Sequence, residues 1–349
     1  MTTKQNFILC SNCFHDEGLS LAAFKIGTES DSICPSCLST NGKKLNEALT
    51  ESLSHGFFVR GSLHKSDYGA IPIIQANKLT KTEVEFNELL LHDTKLLEKS
   101  IGVGFFYYGP RMWMVGEIEP LKDLQTNENR LQTIEKIIEA YTSKLMTIND
   151  KFYRLRKNPS KPNELSQYDS PPRSGNGRLD SEKESVLYGS QDLEICIHEC
   201  RSTVEDNLFI ATLKPTRELK LLDLSVLIEE ENTEFESLDL TVQMLFFAGN
   251  HSYEISREIA IQIKQKGFDG LIYPSYYSTI RTGAMPFDTE MGISIRKLPL
   301  YSDYANTQVI PNIALFGTPI KDGKVVVKCI NKVILNQVKY DIQFGPAEY

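Results

Sequence analysis

Four cysteines near the start of the chain, Cys10, Cys13, Cys34 and Cys37, form two CxxC pairs separated by 20 residues. No other feature limits the possible folds so tightly. Each pair offers two sulfurs to one side of a tetrahedron, and the stretch between them is long enough to close a small hairpin, so the spacing predicts a zinc ribbon. Four thiolates leave no open position for water or substrate, and the metal is therefore expected to be structural. His15, just past the first knuckle, is the one alternative ligand and reads better as a surface residue. Cys196, Cys200 and Cys329 have no metal spacing and read as reduced, buried thiols.

At 349 residues the chain can bury two or three cores. A formal charge of -8 excludes a general nucleic-acid binder, which needs a basic face to neutralise phosphates. No apolar run approaches the roughly 20 residues that span a bilayer, and the first residues lack the apolar core and cleavage site of a secretory signal. A cytoplasmic protein with no membrane contact is expected.

After a ribbon over 1–44, residues 45–150 predict a mainly helical module. Its helices lie in GKKLNEALTESL, TKTEVEFNELLLHDTKLLEKS and NRLQTIEKIIEAYTSKLM, and the glycine- and aromatic-rich segment around the single tryptophan, Trp113, suits a strand pair or buried loop. Past Asp150 the texture changes. KNPSKPNELSQYDSPPRSGNG predicts a flexible loop. Beyond it ESVLYG, LFIATLKPT, LKLLDLS, FDGLIYPS and VIPNIALFG predict strands, and the last apolar run, from Lys324, predicts edge or hairpin strands. SQDLEICIHECRST predicts a helix capped by Ser190, SYEISREIAIQIKQKG one ended by Gly267, and the acidic run at 229–236 a solvated loop. The class is α+β, without the regular alternation of a doubly wound sheet.

Residues 151–349 carry the candidate chemistry in a fixed order: FYR ending on Arg154, GR on Arg178, LYG with Tyr188, HEC with Glu199 and DGLIYPS ending on Ser275. Guanidinium groups match phosphate oxygens as a bidentate fork. An aromatic face packs on a nicotinamide ring, and a carboxylate opposes the charge of an oxocarbenium-like transition state. Helical spacing sets Glu199 near Ile195 and Cys196, which predicts a partly buried carboxylate. His198 points about 100° away and reads as structural.

These pieces, with NIALF at 312–316, resemble the RES domain over roughly residues 150–317. The family takes its name from arginine, glutamate and serine and occurs in bacterial toxins. The resemblance implies an ADP-ribosyltransferase-like domain that consumes NAD, and the ribbon and helical segment are similar to an N-terminal extension found on some members. Carried over, Arg154 and Arg178 grip the NAD pyrophosphate, Tyr188 stacks near the nicotinamide, Glu199 acts at the scissile ribose and Ser275 positions that ribose or the glutamate. The implied activity is cleavage of the nicotinamide–ribose bond by hydrolysis or phosphorolysis in a toxin or defence effector, restrained by an antitoxin or regulatory protein. ADP-ribosyl transfer to a macromolecule and non-catalytic nucleotide binding are the rivals, and a homo-oligomer is compatible with any of them. The sequence departs from the family after Arg178, where LDSEKES replaces a turn rich in Asn, Pro and Gly, so a differently shaped loop is expected to aim Arg178.

Overall fold

Strand β1 (Phe7–Cys10) pairs antiparallel with β2 (Lys44–Asn46), which zips together the two ends of the cysteine-bearing segment. The computed structural model describes residues 6–66, 69–107, 118–171, 177–182, 184–282, 289–290, 293–339 and 342–348. Trp113 lies outside them. By contacts the chain divides into two units, one holding Met1–Ser66, Ala70–Met112 and Tyr340–Tyr349, the other Asp67–Gly69 and Trp113–Lys339.

Among the described residues of the first unit, three α-helices start on a polar side chain that accepts an otherwise orphaned N–H. Asp16 opens Glu17–Ile26, Asn46 opens Glu47–Ser54 and Asn87 opens Glu88–Ile101, which ends on Gly102 at φ 68°. Short strands β3 (Leu63–Ser66) and β4 (Gly69–Pro72) pair, as do β5 (Ile74–Lys78) and β6 (Val103–Tyr107). Cys10, Cys13 and Cys34 share one core with Leu19, Leu53, Phe58, Leu97 and Phe105. The ribbon is thus continuous with the helices that follow it. Asp93, fully buried, makes the tie: its carboxylate accepts the N–H of His15 at 2.9 and 3.1 Å and that of Asp16 at 2.9 Å. Residues 342–348 belong here too, with Lys25 donating to the Ile342 carbonyl at 3.3 Å.

The second unit is built on an eight-stranded sheet. Its strands are β7 (Ser143–Met146), β8 (Phe152–Lys157), β9 (Val186–Ser190), β10 (Leu208–Pro215), β11 (Leu219–Asp223), β12 (Gly270–Pro274), β15 (Pro311–Phe316) and β16 (Val325–Val333). Their order is β16-β10-β8-β9-β15-β12-β11-β7, with only β11 and β12 parallel; β13 (Thr289–Glu290) and β14 (Ile293–Ser294) pair apart from it. Side chains alternate across each strand. Val186, Leu271, Tyr273 and Ala314 therefore face helices Glu119–Gln125, Arg130–Ala140, Leu238–Phe247 and Tyr253–Gln265, while Phe152, Leu187, Ile272 and Ile313 fill a second core on the reverse face.

Several elements differ from the sequence reading. The span 45–150 is shared between the units, because Leu121, Leu124, Ile134 and Ile137 supply the apolar stripes that cover the large sheet. The periodic run after Arg130 stops at Ala140, and SKLM turns into edge strand β7 paired with β11. Helix Leu238–Phe247 has no amphipathic signature, since Leu240 to Phe246 are all buried. The loop after β8 is anchored over its described part: Tyr168 is fully buried and donates to the Pro162 carbonyl at 2.9 Å. The acidic run 229–236 is mostly exposed, as expected, with Glu230 accepting the Leu238 N–H at 2.7 Å and Glu236 the Thr233 N–H at 3.1 Å.

Replacing Asp93 with alanine leaves two knuckle-exit N–H groups without their acceptor. A loss of about 2 kcal/mol in the first unit's stability is expected, measurable as a lower urea midpoint.

Candidate active site

Three chain segments end at one edge of the large sheet. The C-terminus of β9 leads into helix Leu193–Glu199, the C-terminus of β12 delivers Ser275, and β15 begins there with Pro311 and Asn312. Asn312 faces both Ser190 and Tyr273 in register. The helix starts on Asp192, which accepts the Ile195 N–H at 3.0 Å; Ser190, the expected cap, instead accepts the Asp192 N–H and donates to the Pro311 carbonyl. Cys196 and Cys200 rest the helix on β8, their thiols donating to the carbonyls of Tyr153 and Leu155.

Glu199 closes this helix. Its Oε1 accepts the Ser275 hydroxyl at 2.7 Å and the Asn312 amide at 2.6 Å. Both donors are buried, whereas Glu199 itself is exposed rather than partly buried as its helical neighbours suggested. The helix ends at this residue, so no further turn covers it. Oε2 has no partner among the described residues.

Tyr188 organises the turn that carries Arg178. Its hydroxyl donates to Asp180 at 2.8 Å and accepts the N–H groups of Leu179 and Asp180 at 2.9 and 3.1 Å. Burial, then the Asp180 carboxylate, pushes the phenol well above its ordinary range, so it stays a neutral donor. A side chain at Gly177 would collide with Asp180 and with the Tyr188 hydroxyl. Arg257 donates to the Gly177 carbonyl at 3.0 and 2.8 Å, and Ser256 to that of Arg178 at 3.0 Å, which pins the turn to helix Tyr253–Gln265. The unusual sequence after Arg178 is thus stabilised by its own aspartate.

From this turn Arg178 donates to the carbonyls of Leu245 and Ala248, both at 2.8 Å, at the C-terminal end of helix Leu238–Phe247, where a cation is favoured. It also lies over the Tyr253 ring at 4.8 Å and the Phe246 ring at 5.8 Å. Phe246 in turn packs on Tyr273 at 5.1 Å. Burial pushes the Tyr273 phenol upward, Glu199 adds to the shift and Arg178 opposes it. Glu199 and Ser275 are thus joined directly, while Arg178, on the turn that Tyr188 holds, reaches Tyr273, two residues before Ser275, through the Phe246 ring.

Arg154 stands apart. By alternation it projects on the face of Phe152, and it is 4% exposed. Strands β8 and β9 meet at Tyr153 and Ser190 alone. Where they part, Arg154 donates to the Tyr188 carbonyl at 2.6 Å and the Asp169 carbonyl at 3.1 Å, and its Nε has no partner among the described residues. Burial and the Arg156 guanidinium push it down to about 9, so it remains a cation at neutral pH. Both terminal nitrogens already serve backbone carbonyls, and the side chain is buried. In this structure it fastens two strands.

Sequence reasoning missed Asn312, Asp180 and the tyrosines Tyr253 and Tyr273. A lone carboxamide inside the apolar run VIPNIALFG was the available signal, because a buried amide needs a partner.

The four knuckle cysteines form a second candidate site, in the first unit. Their sulfurs all lie within 4.8 Å of one another, with Cys10–Cys13 at 3.8 Å, Cys10–Cys37 at 3.4 Å and Cys13–Cys34 at 3.5 Å. Zinc–sulfur bonds of about 2.3 Å in a tetrahedron set sulfurs about 3.8 Å apart, so the residues fit the ion. Burial pushes the Cys10 thiol up to about 11, which a bound cation would reverse. Lys44 folds the loop after Cys37 by donating to the carbonyls of Thr40, Asn41 and Gly42 at 3.0, 3.1 and 3.0 Å. His15 lies outside the cluster, its ring stacked on His92 at 3.5 Å.

With this geometry in place, comparison with known families is decisive for one segment: residues 151–284 match the RES domain model. That stretch lies wholly in the second unit. Glu199, Ser275 and Arg178 all fall within the match, and Asn312 lies beyond it. No curated protein matches the chain. Among solved structures, a chain of the M. tuberculosis MbcT–MbcA toxin–antitoxin complex aligns at 10% identity with a TM-score of 0.31, covering 57% of this chain and 91% of that one. No helix among the described residues is long and apolar enough to cross a membrane.

Two outcomes are expected. Tyr188→Phe leaves the Leu179 and Asp180 N–H groups unpaired, costing about 2 kcal/mol locally, and hydrogen exchange should speed up across 177–180 before it does elsewhere in the RES domain. Mass spectrometry of the native protein should find one zinc per chain, which Cys10→Ser loses together with thermal stability of the first unit.

Proposed function

We propose that the RES domain cleaves the bond between ribose and nicotinamide in NAD. One observation carries the reading: Glu199 has one carboxylate oxygen fixed by two buried neutral donors and the other without a partner among the described residues. A fixed, uncompensated negative charge suits a reaction whose transition state gathers positive charge on a sugar carbon. Nicotinamide already carries its positive charge within NAD and departs neutral, taking the electrons of the broken bond, so no general acid is needed. One carboxylate is enough.

In this account Glu199 Oε2 faces the ribose C1 as charge develops there, while Ser275 and Asn312 keep the carboxylate from rotating towards water. Arg178 uses two of the five guanidinium donors on carbonyls and retains three for a phosphate oxygen. Tyr188 acts through the turn it holds, since its hydroxyl is fully engaged. Water, phosphate or a nucleophilic side chain of a macromolecule can then attack C1. Zinc, when bound by the four knuckle cysteines, supplies structure rather than chemistry. An enzyme that depletes NAD calls for restraint in its host, which fits a toxin or defence effector held by an inhibitory partner.

The test is incubation with NAD and mass analysis of the products. Free ADP-ribose marks hydrolysis, ADP-ribose 1-phosphate marks phosphorolysis, and a mass gain on a macromolecule marks transfer. Glu199→Gln preserves an oxygen for Ser275 and Asn312 yet removes the charge, so nicotinamide release should fall about 10²- to 10³-fold with an unchanged melting temperature. Undiminished release by this variant would remove Glu199 from the chemistry.

A further inference from the structure

Arg201 sits two residues beyond Glu199, in a backbone conformation better suited to glycine. Its φ is 46°. The turn is a complete helix stop, the Arg201 N–H donating to the His198 carbonyl at 2.9 Å and the Ser202 N–H to the Ile197 carbonyl at 3.3 Å. In this double-bonded stop the left-handed position is usually glycine, because a Cβ there is strained. A long cationic side chain occupies it here.

That side chain contributes little to packing. Arg201 is exposed, and its hydrogen bond runs from Nε to the Tyr277 hydroxyl at 3.4 Å, leaving both terminal nitrogens without a partner among the described residues. Tyr277 connects it to the site: its N–H donates at 3.1 Å to the Ser275 hydroxyl that holds Glu199, and its ring stacks on His198 at 5.7 Å. Arg154 is buried, and Arg178 spends two of its five donors on a helix end. Arg201 offers an uncommitted planar fork at the edge of the same site, the geometry that matches a phosphoryl group.

We propose that Arg201 is a phosphoryl-binding residue of this site, seating a phosphate beside Glu199. The phosphate belongs either to a dinucleotide or to free inorganic phosphate. That the dinucleotide is NAD rests on the function proposed above; the binding of a phosphoryl group does not.

The experiment uses the full chain with Arg201→Gly. Glycine fits the left-handed backbone, so the variant should melt at or above the wild-type temperature, and weaker binding cannot be ascribed to misfolding. Calorimetry with ADP-ribose and with inorganic phosphate gives the two arms. If the phosphate is the dinucleotide's, ADP-ribose binds the variant roughly 10- to 100-fold more weakly; if it is free phosphate, inorganic phosphate binding is lost and ADP-ribose binding persists. Wild type and variant binding both ligands equally, or wild type binding neither, would overturn the proposal. With NAD as substrate, KM should rise in the first case while kcat stays near wild type. Arg201-dependent ADP-ribose binding without nicotinamide release would end the NAD-cleavage reading alone. Nicotinamide release with both ligands bound equally by the two proteins would end this proposal alone.

Discussion

The grip of Ser275 and Asn312 on one oxygen of Glu199 is the interaction around which the larger unit is arranged. Neutral donors fix the direction of a carboxylate without cancelling its charge, which an arginine or lysine in the same place would do. The two donors come from adjacent strands, β15 itself and the residue that follows β12, and are buried. Neither can drift. The helix that bears Glu199 is set by a different route, from Asp192 at its start and from thiols resting on β8. The carboxylate is therefore positioned where independently anchored pieces of the sheet meet.

The guanidinium groups show how a shared residue type divides into separate tasks. Arg154 and Arg156 both donate to the Asp169 carbonyl and hold the segment after β8 against the reverse face of the sheet. Arg178 is delivered by a turn that Tyr188, Asp180 and the bare backbone of Gly177 compress into a small space, and it joins that turn to the end of a neighbouring helix. In each case the donors address backbone carbonyls, which any sequence provides. Only the three-dimensional arrangement says which arginine faces a ligand.

This explains what was legible in the sequence. The cysteine pairs could be read directly, because tetrahedral coordination leaves a rigid spacing. The strands ESVLYG, LFIATLKPT, FDGLIYPS and VIPNIALFG were readable from composition, since a central strand of a covered sheet is apolar along its length. The link between Glu199 and Ser275 was available only through the family's ordered motif, as the two are far apart in the chain. Helix Leu238–Phe247 escaped because burial on all sides erases the periodicity that reveals a helix. The prolines and serines of 157–177 predict a loose segment, yet over its described part Tyr168 and the carbonyls offered to Arg154 and Arg156 fasten it. Asn312 carries no such signal beyond its polarity in an apolar strand, and the structure makes it the second anchor of the carboxylate.

The single rung between β8 and β9 divides the sheet into two ribbons, one of three strands and one of five, stapled by the Arg154 guanidinium. Helix Leu193–Glu199 bridges this seam: it emerges from β9, and its thiols lie on β8. A ligand or protein that prised the ribbons apart would tilt the helix like a lever and swing Glu199 off its two anchors, although it touched neither of them.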